Sequence, residues 1–188
     1  MDQPIILGFV GPLAAGKGTA CKYLTDRYNA TIYKFSAPLR DVLKRLYRDI
    51  TRENLQNLSS ALRQTFGDDL LAAVIAGDVK TGTATFMAVD GVRRLPDITY
   101  LKDIPGFSLV AITAEQKTRW ERMVMRGENA DDATKTFEQF ILDEQKEAEI
   151  HITEVAKTAQ FTINNNGSLD QLYVQIDDII KTVHGNKS

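Results

Sequence analysis

Six consecutive apolar or glycine residues, Ile5-Ile6-Leu7-Gly8-Phe9-Val10, run straight into Gly11-Pro12-Leu13-Ala14-Ala15-Gly16-Lys17-Gly18-Thr19 and then into a helical segment, Ala20 to Tyr28. A buried strand, a glycine-rich turn and a helix start in that order restrict the fold strongly, because the turn reads as a phosphate-binding loop, G-x-x-x-x-G-K. Gly11 and Gly16 let the backbone curl so that successive N–H groups, through Ala14, Ala15, Gly16, Gly18 and Thr19, point inward at phosphate oxygens. Lys17 is then placed to reach the β- and γ-phosphates. The dipole of the helix behind the loop acts in the same sense. The bland reading, a turn that only joins a core strand to a helix, leaves Lys17 without a purpose.

The residue after Lys17 is Gly18, and the hydroxyl comes one place later at Thr19. This G-K-G-T form resembles the adenylate kinase group of nucleoside monophosphate kinases. The resemblance implies a metal held largely through water and a distant Asp.

The remaining composition bounds the chain without directing it. With 188 residues it is the size of one domain, 1–188, large enough to bury a good core. A net charge of −2 with 43% hydrophobic residues gives no bias toward nucleic acid. Cys21 is the single cysteine, which excludes an internal disulfide and fits a reducing compartment. His151 and His184 lie far apart with no second cysteine, which argues against zinc. The longest apolar run, Ile5 to Val10, is too short to span a bilayer, and no basic segment precedes it as a signal peptide requires. The expected location is cytoplasmic, with no membrane partner.

Hydrophobic spacing predicts the elements in order. Helix one runs from Lys17 to about Tyr28 and turns at Asn29, and Thr31 to Phe35 is a second strand. Ser36 is the expected cap of a helix whose Leu39, Val42, Leu43, Leu46 and Tyr47 make a core stripe, with Arg40, Lys44 and Arg48 off it. Residues 51–80 read as two helices around Gly67, with Leu55, Leu58, Ala61 and Leu62 on one and Leu70, Leu71, Val74 and Ile75 on the other. Thr85 to Asp90 is the third strand and Phe107 to Thr113 the fourth, with Thr113-x-x-Gln116 as a capping box for a helix to Arg126. A polar loop, Gly127 to Asp132, precedes a long helix over 134–158 whose Asp143, Glu144, Glu147 and Glu149 form a solvated face. Gln160 to Ile163 is the fifth strand, and Ser168 caps the last helix, with Leu169, Leu172, Ile176, Ile179 and Ile180 inward; past His184 the tail is expected to be disordered. Strands rich in apolar residues alternating with helices predict a doubly wound α/β domain. Its five-stranded parallel sheet has helices on both faces and ligands at the carboxyl ends of the strands.

The remaining chemistry gathers after the third strand. Asp90 ends that strand and can hold the waters around Mg²⁺, and Arg93 and Arg94 directly after it would repel each other unless an anion were expected. Asp90-Gly91-Val92-Arg93 is similar to the D-G-F-P-R of adenylate kinases and to the D-G-x-R of dephospho-CoA-kinase-like proteins. That likeness implies an arginine on the acceptor phosphate, Arg93 first and Arg94 second. Phe35-Ser36-Ala37-Pro38-Leu39-Arg40 is similar to the strand-to-helix segment of deoxynucleoside monophosphate kinases, which puts Arg40 on the same phosphate. Arg63, within Leu62-Arg63-Gln64-Thr65-Phe66-Gly67, resembles a residue of their acceptor-binding helices, so 51–80 becomes a small acceptor-binding insert and 127–134 a short lid.

Arg119, Arg122 and Arg126 share one face of their helix, apart from Trp120, Met123 and Val124. The face resembles the lid entrance of this kinase group, whose arginines neutralise the transferred phosphoryl group; the alternative is a solvent-exposed basic face. Adenylate kinases carry arginines around an Asp-Asp pair in the lid, whereas Asp131-Asp132 here has none beside it. Asn164-Asn165-Asn166-Gly167 looks like the turn that borders the donor adenine, with Asn166 the candidate contact, and nothing there matches the guanine reader N-K-x-D. The expectation is an ATP- and Mg²⁺-dependent P-loop kinase acting on a nucleoside or deoxynucleoside monophosphate. Dephospho-CoA kinase is the near alternative, against which G-K-G-T stands. A nucleotide-binding regulatory protein with little turnover is the alternative of another class, suggested by the thin lid.

Overall fold

A computed structural model describes residues 3–127, 132–144 and 147–185. The elements in chain order are β1 (Ile5–Val10), α1 (Lys17–Tyr28), β2 (Thr31–Lys34), α2 (Ala37–Arg45), α3 (Arg52–Phe66), α4 (Leu70–Thr81) and β3 (Phe86–Val92). They continue with β4 (Phe107–Thr113), α5 (Gln116–Arg126), α6 (Phe137–Glu144), α7 (Glu147–Ala156), β5 (Phe161–Asn164) and α8 (Leu169–Gly185). Residues Glu128 to Asp131 of the expected lid and the tail beyond 185 lie outside the described residues.

β1 is buried at all six positions, as a central strand covered on both faces must be. The sheet order is β2-β3-β1-β4-β5 and every pair is parallel. One face is closed by α1 and α8, with Leu7, Phe9, Cys21, Leu24, Ile163, Leu172 and Ile176 in its core. The other packs Ile6, Val10, Leu39, Leu71, Ile75, Val89, Ile152 and Val155, drawn from the sheet, α2, α4 and α7. Each large apolar side chain so buried contributes about 1.5–3 kcal/mol. No helix among the described residues is long and apolar enough to cross a membrane.

Several local expectations change. On α2 only Leu39 and Leu43 are buried, whereas Val42, Leu46 and Tyr47 are exposed. The helix stops at Arg45 and Tyr47 takes a left-handed φ of 54°, which swings the end of the stripe outward. Val74 and Leu169 are exposed as well. Ser36 makes no side-chain cap. Thr113 does not cap α5 either: its hydroxyl donates across the sheet to the Ile163 carbonyl at 3.3 Å, and Glu115 takes the cap position.

The helix expected over 134–158 starts later, at Phe137, and its described stretches end at Ala156. A 3₁₀ turn at Asp132–Thr134, with Asp132 buried, precedes α6 and α7. The start of α6 is set by a reciprocal cap, because Gln139 N–H donates to Thr136 Oγ1 at 3.3 Å while Thr136 N–H donates to Gln139 Oε1 at 2.9 Å. Of the expected solvated acidic face, Glu144 instead turns inward to Arg119; the side chains of Asp143, Glu147 and Glu149 lie outside the described residues.

β3 runs two residues past Asp90. Its register against β1 jumps from Phe9↔Asp90 to Val10↔Val92, so Gly91 is the bulged residue, at a φ of 95° that favours glycine.

Candidate functional site

The turn after β1 is shaped by contacts that only glycine permits. A Cβ on Gly11 would stand 2.2 Å from the Ile112 carbonyl oxygen, and one on Gly16 would stand 2.2 Å from Asn165 Nδ2. Gly16 is left-handed at φ 110° and forms the cap of α1, where no side chain caps the helix. The first intrahelical bond runs from Ala20 N–H to the Gly16 carbonyl at 2.9 Å, so the N–H groups of Gly18 and Thr19 have no acceptor within the helix. This is a cradle suited to an anion.

The carbonyls of the loop are collected by donors around it. Lys17 Nζ donates to Gly11 O at 2.5 Å and Pro12 O at 2.9 Å, Arg119 Nη1 to Leu13 O at 3.3 Å, and Asn165 Nδ2 to Ala15 O at 2.8 Å. A trans peptide points its C=O and its following N–H in opposite directions. Holding each of these carbonyls therefore turns the N–H that follows it, of Leu13, Ala14 and Gly16, away from the group that holds it.

Asp90 lies level with Phe9, close to where the loop begins, and Lys34 pairs with Asp90 on its other side. Burial, and after it the charge of Asp90, push the Cys21 thiol far above its ordinary range, while Lys34 and Lys17 act the other way. Asp90, Lys34 and Lys17 thus converge on the first turns of α1. No cluster of three His, Cys, Asp or Glu side chains suited to a metal occurs among the described residues. A metal here would be held by Thr19 and Asp90 together with phosphate oxygens and water.

α5 is joined to the loop, which a solvent-exposed basic face would not be. Arg119 is 5% exposed. It donates to the Ala114 carbonyl at 2.9 Å, pairs through both terminal nitrogens with Glu144 of α6, and lies over the Phe140 ring. Arg122 Nη1 donates to the Asn165 carbonyl at 2.8 Å. Arg126 stands exposed in the last turn. Trp120 Nε1 donates to the Lys135 carbonyl at 2.8 Å, which ties α5 to the segment before α6.

Three of the four arginines read as acceptor contacts come together. Asp97 is 1% exposed; its Oδ2 accepts the N–H groups of Arg93 at 2.9 Å and Arg94 at 3.0 Å, while its Oδ1 meets Arg63 Nη2 at 3.2 Å. Arg63 also donates to the Asp68 carbonyl at 2.5 Å, so its guanidinium is committed to holding this turn. Arg93 and Arg94 remain exposed, and Arg94 borders a cavity of about 440 Å³ with Ser60, Arg63, Gln64, Gly67 and Asp68. Arg40 is exposed on α2 and shares no hydrogen bond or ion pair with this group.

Asn166 is exposed beside a cavity of about 620 Å³ at the start of α8, and its Oδ1 accepts Glu115 N–H at 2.7 Å. The residue that touches the loop is its neighbour Asn165. Strand alternation carries that signal, because Asn165 falls two places after the buried Ile163 and so shares its inward direction. Asp97 is signalled only by its place three residues after Arg94, the spacing at which a carboxylate reaches back to the N–H of a capping residue.

Residues 10–140 match the model of AAA_17, an AAA domain. The chain belongs to that family. It is also similar to UPF0200 protein MJ1399 of Methanocaldococcus jannaschii, 26% identical over 184 residues, which cover 97% of this chain and 92% of that protein. A UPF0200 protein of Staphylothermus marinus is 28% identical over 171 residues, covering 91% of this chain and 88% of that one. Among solved structures, TT1252 from Thermus thermophilus superposes with a TM-score of 0.60 at 15% identity, covering all of both chains. Shikimate kinase from Acinetobacter baumannii, in complex with shikimate, gives 0.57 at 16% identity over 98% of this chain and 95% of its own. The fold of this AAA_17 member is therefore that of a P-loop kinase-like NTPase, a five-stranded parallel sheet between helices.

Proposed function

We propose that the chain transfers the γ-phosphoryl group of ATP to a nucleoside or deoxynucleoside monophosphate. The observation that carries this reading is the turn after β3. There Asp97, held by Arg63, fixes the main chain of the two exposed arginines Arg93 and Arg94 just past the strand that brings Asp90 beside the phosphate loop. A small acceptor bearing its own phosphate is what two adjacent arginines recognise, since each offers a planar fork to phosphate oxygens.

The N–H groups of the loop and of the first turn of α1 bind the triphosphate, and Lys17 leaves the Gly11 and Pro12 carbonyls for the β- and γ-phosphates. Mg²⁺, held by Thr19 and through water by Asp90, would offset charge on those phosphates. An oxygen of the acceptor phosphate is the nucleophile, so no side chain need form a covalent intermediate; positioning and charge neutralisation do the work. Arg126 serves the transferred group, whereas Arg119 and Arg122 hold the loop. The segment 51–80 is the acceptor-binding insert, 127–134 the lid, and Asn166 borders the donor base.

The test is a coupled assay of ADP release across nucleoside monophosphates, deoxynucleoside monophosphates, dephospho-CoA and shikimate. A monophosphate nucleotide should give the highest kcat/KM. Preference for dephospho-CoA would reassign the acceptor, and ATP binding with no turnover on any of them would favour a regulatory role.

A further inference from the structure

We propose that Asn165 is a positioning residue of the nucleotide site, and that Arg122 acts on the phosphate loop through it and not on the nucleotide. The inference rests on the ATP-binding reading above. Asn165 is 4% exposed, and its N–H, its carbonyl and its side-chain Nδ2 each have a defined partner. Its N–H donates to the Thr113 carbonyl at 2.8 Å, which anchors it to the end of β4. Its carbonyl receives Arg122 Nη1 at 2.8 Å, and its side-chain Nδ2 donates to the Ala15 carbonyl at 2.8 Å.

The last of these bonds does more than fill a buried donor. The Ala15 carbonyl and the Gly16 N–H belong to one trans peptide, so the amide that holds the first aims the second in the opposite direction, into the cradle. Glycine at position 16 permits this close approach, since a Cβ there would stand 2.2 Å from Nδ2. Arg122 holds the main chain of Asn165 from α5, and so, beside the direct bond from Arg119 to Leu13, that helix reaches the loop by way of one amide. A buried hydrogen bond of this kind is worth about a factor of ten in an equilibrium.

The experiment is a double-mutant cycle on the full chain, read by calorimetric titration with MgATP and MgADP and by steady-state kinetics. Asn165→Ala should weaken both nucleotides about tenfold and raise the KM for ATP while leaving the acceptor KM unmoved. Arg122→Met should weaken them severalfold in the wild-type chain and add nothing in the Asn165→Ala background, because its route to the loop is already cut. Asn165→Asp keeps the volume but loses the donor; it should reproduce the Asn165→Ala defect, and its unfolding midpoint checks that the fold is retained. Equal losses from Arg122→Met in both backgrounds would place Arg122 on the nucleotide and overturn the inference. Unchanged nucleotide affinity in Asn165→Ala, or a parallel rise in acceptor KM, would reduce Asn165 to a structural residue. A wild-type chain that binds neither nucleotide would contradict the ATP reading itself.

Discussion

Arg63 and Asp97, on α3 and in the turn after β3, meet at 3.2 Å with side chains only 9% and 2% exposed. The pair joins the helices of 51–80 to the strand that carries Asp90, and it does so under two exposed arginines. An ion pair so enclosed is weak evidence for stability in itself, yet removing one partner strands a charge.

Arg63→Met should therefore destabilise the chain by about 3–5 kcal/mol, read as a lowered denaturation midpoint at constant slope. The same variant should raise the acceptor KM more than that of ATP, because Asp97 then loses its hold on the Arg93–Arg94 turn. A midpoint equal to that of the wild type would show that Asp97 needs no countercharge.

Arg93→Ala should raise the acceptor KM roughly 30- to 150-fold, the equivalent of about 2–3 kcal/mol for a lost bidentate contact with phosphate. The KM for ATP should change little. A defect confined to ATP would remove Arg93 from the acceptor site.

Asp90→Asn should lower turnover strongly and shift the Mg²⁺ titration to higher concentration, with metal-free nucleotide binding nearly intact. Its carboxylate is assigned to the metal's water shell, so the metal dependence is the readout. An unaltered Mg²⁺ curve would return Asp90 to the role of a strand residue beside a bulge.

Alkaline pH should weaken the fold. Burial, then Asp90, raise the Cys21 thiol above its ordinary value of 9.0, and burial with the Asp177 hydrogen bond pushes Tyr28 from 10.0 up to about 12. Above pH 9 the unfolded chain releases protons that the folded chain keeps, and stability falls as pH rises wherever the folded state binds more protons. Denaturant midpoints between pH 7 and pH 10.5 should decline, and Cys21→Ala should flatten the decline. A slope identical in that variant would show that Cys21 is not its source.

The sheet and the phosphate loop were legible because local chemistry decides them. Continuous apolar runs give strands buried on both faces, and the spacing of Gly11, Gly16 and Lys17 marks the loop by itself. Partners distant in sequence were not legible. Nothing near Arg119 foretold that Glu144 of α6 would take its guanidinium, and so its charge read as available to the transferred phosphoryl group. Arg63 reads from its sequence as an acceptor contact, and in the structure its guanidinium holds Asp97. The contact of Asn165 with the loop follows from the alternation that continues one step past β5.

The most direct test of phosphoryl transfer is the rate of acceptor-dependent ADP release by the wild-type chain and by Lys17→Ala, with MgATP and a panel of nucleoside monophosphates. The account predicts turnover that requires both substrates in the wild type and none in the variant, because Lys17 is the point charge the loop supplies to the β- and γ-phosphates. Equal turnover by the two proteins, or ADP release indifferent to every acceptor, would contradict it.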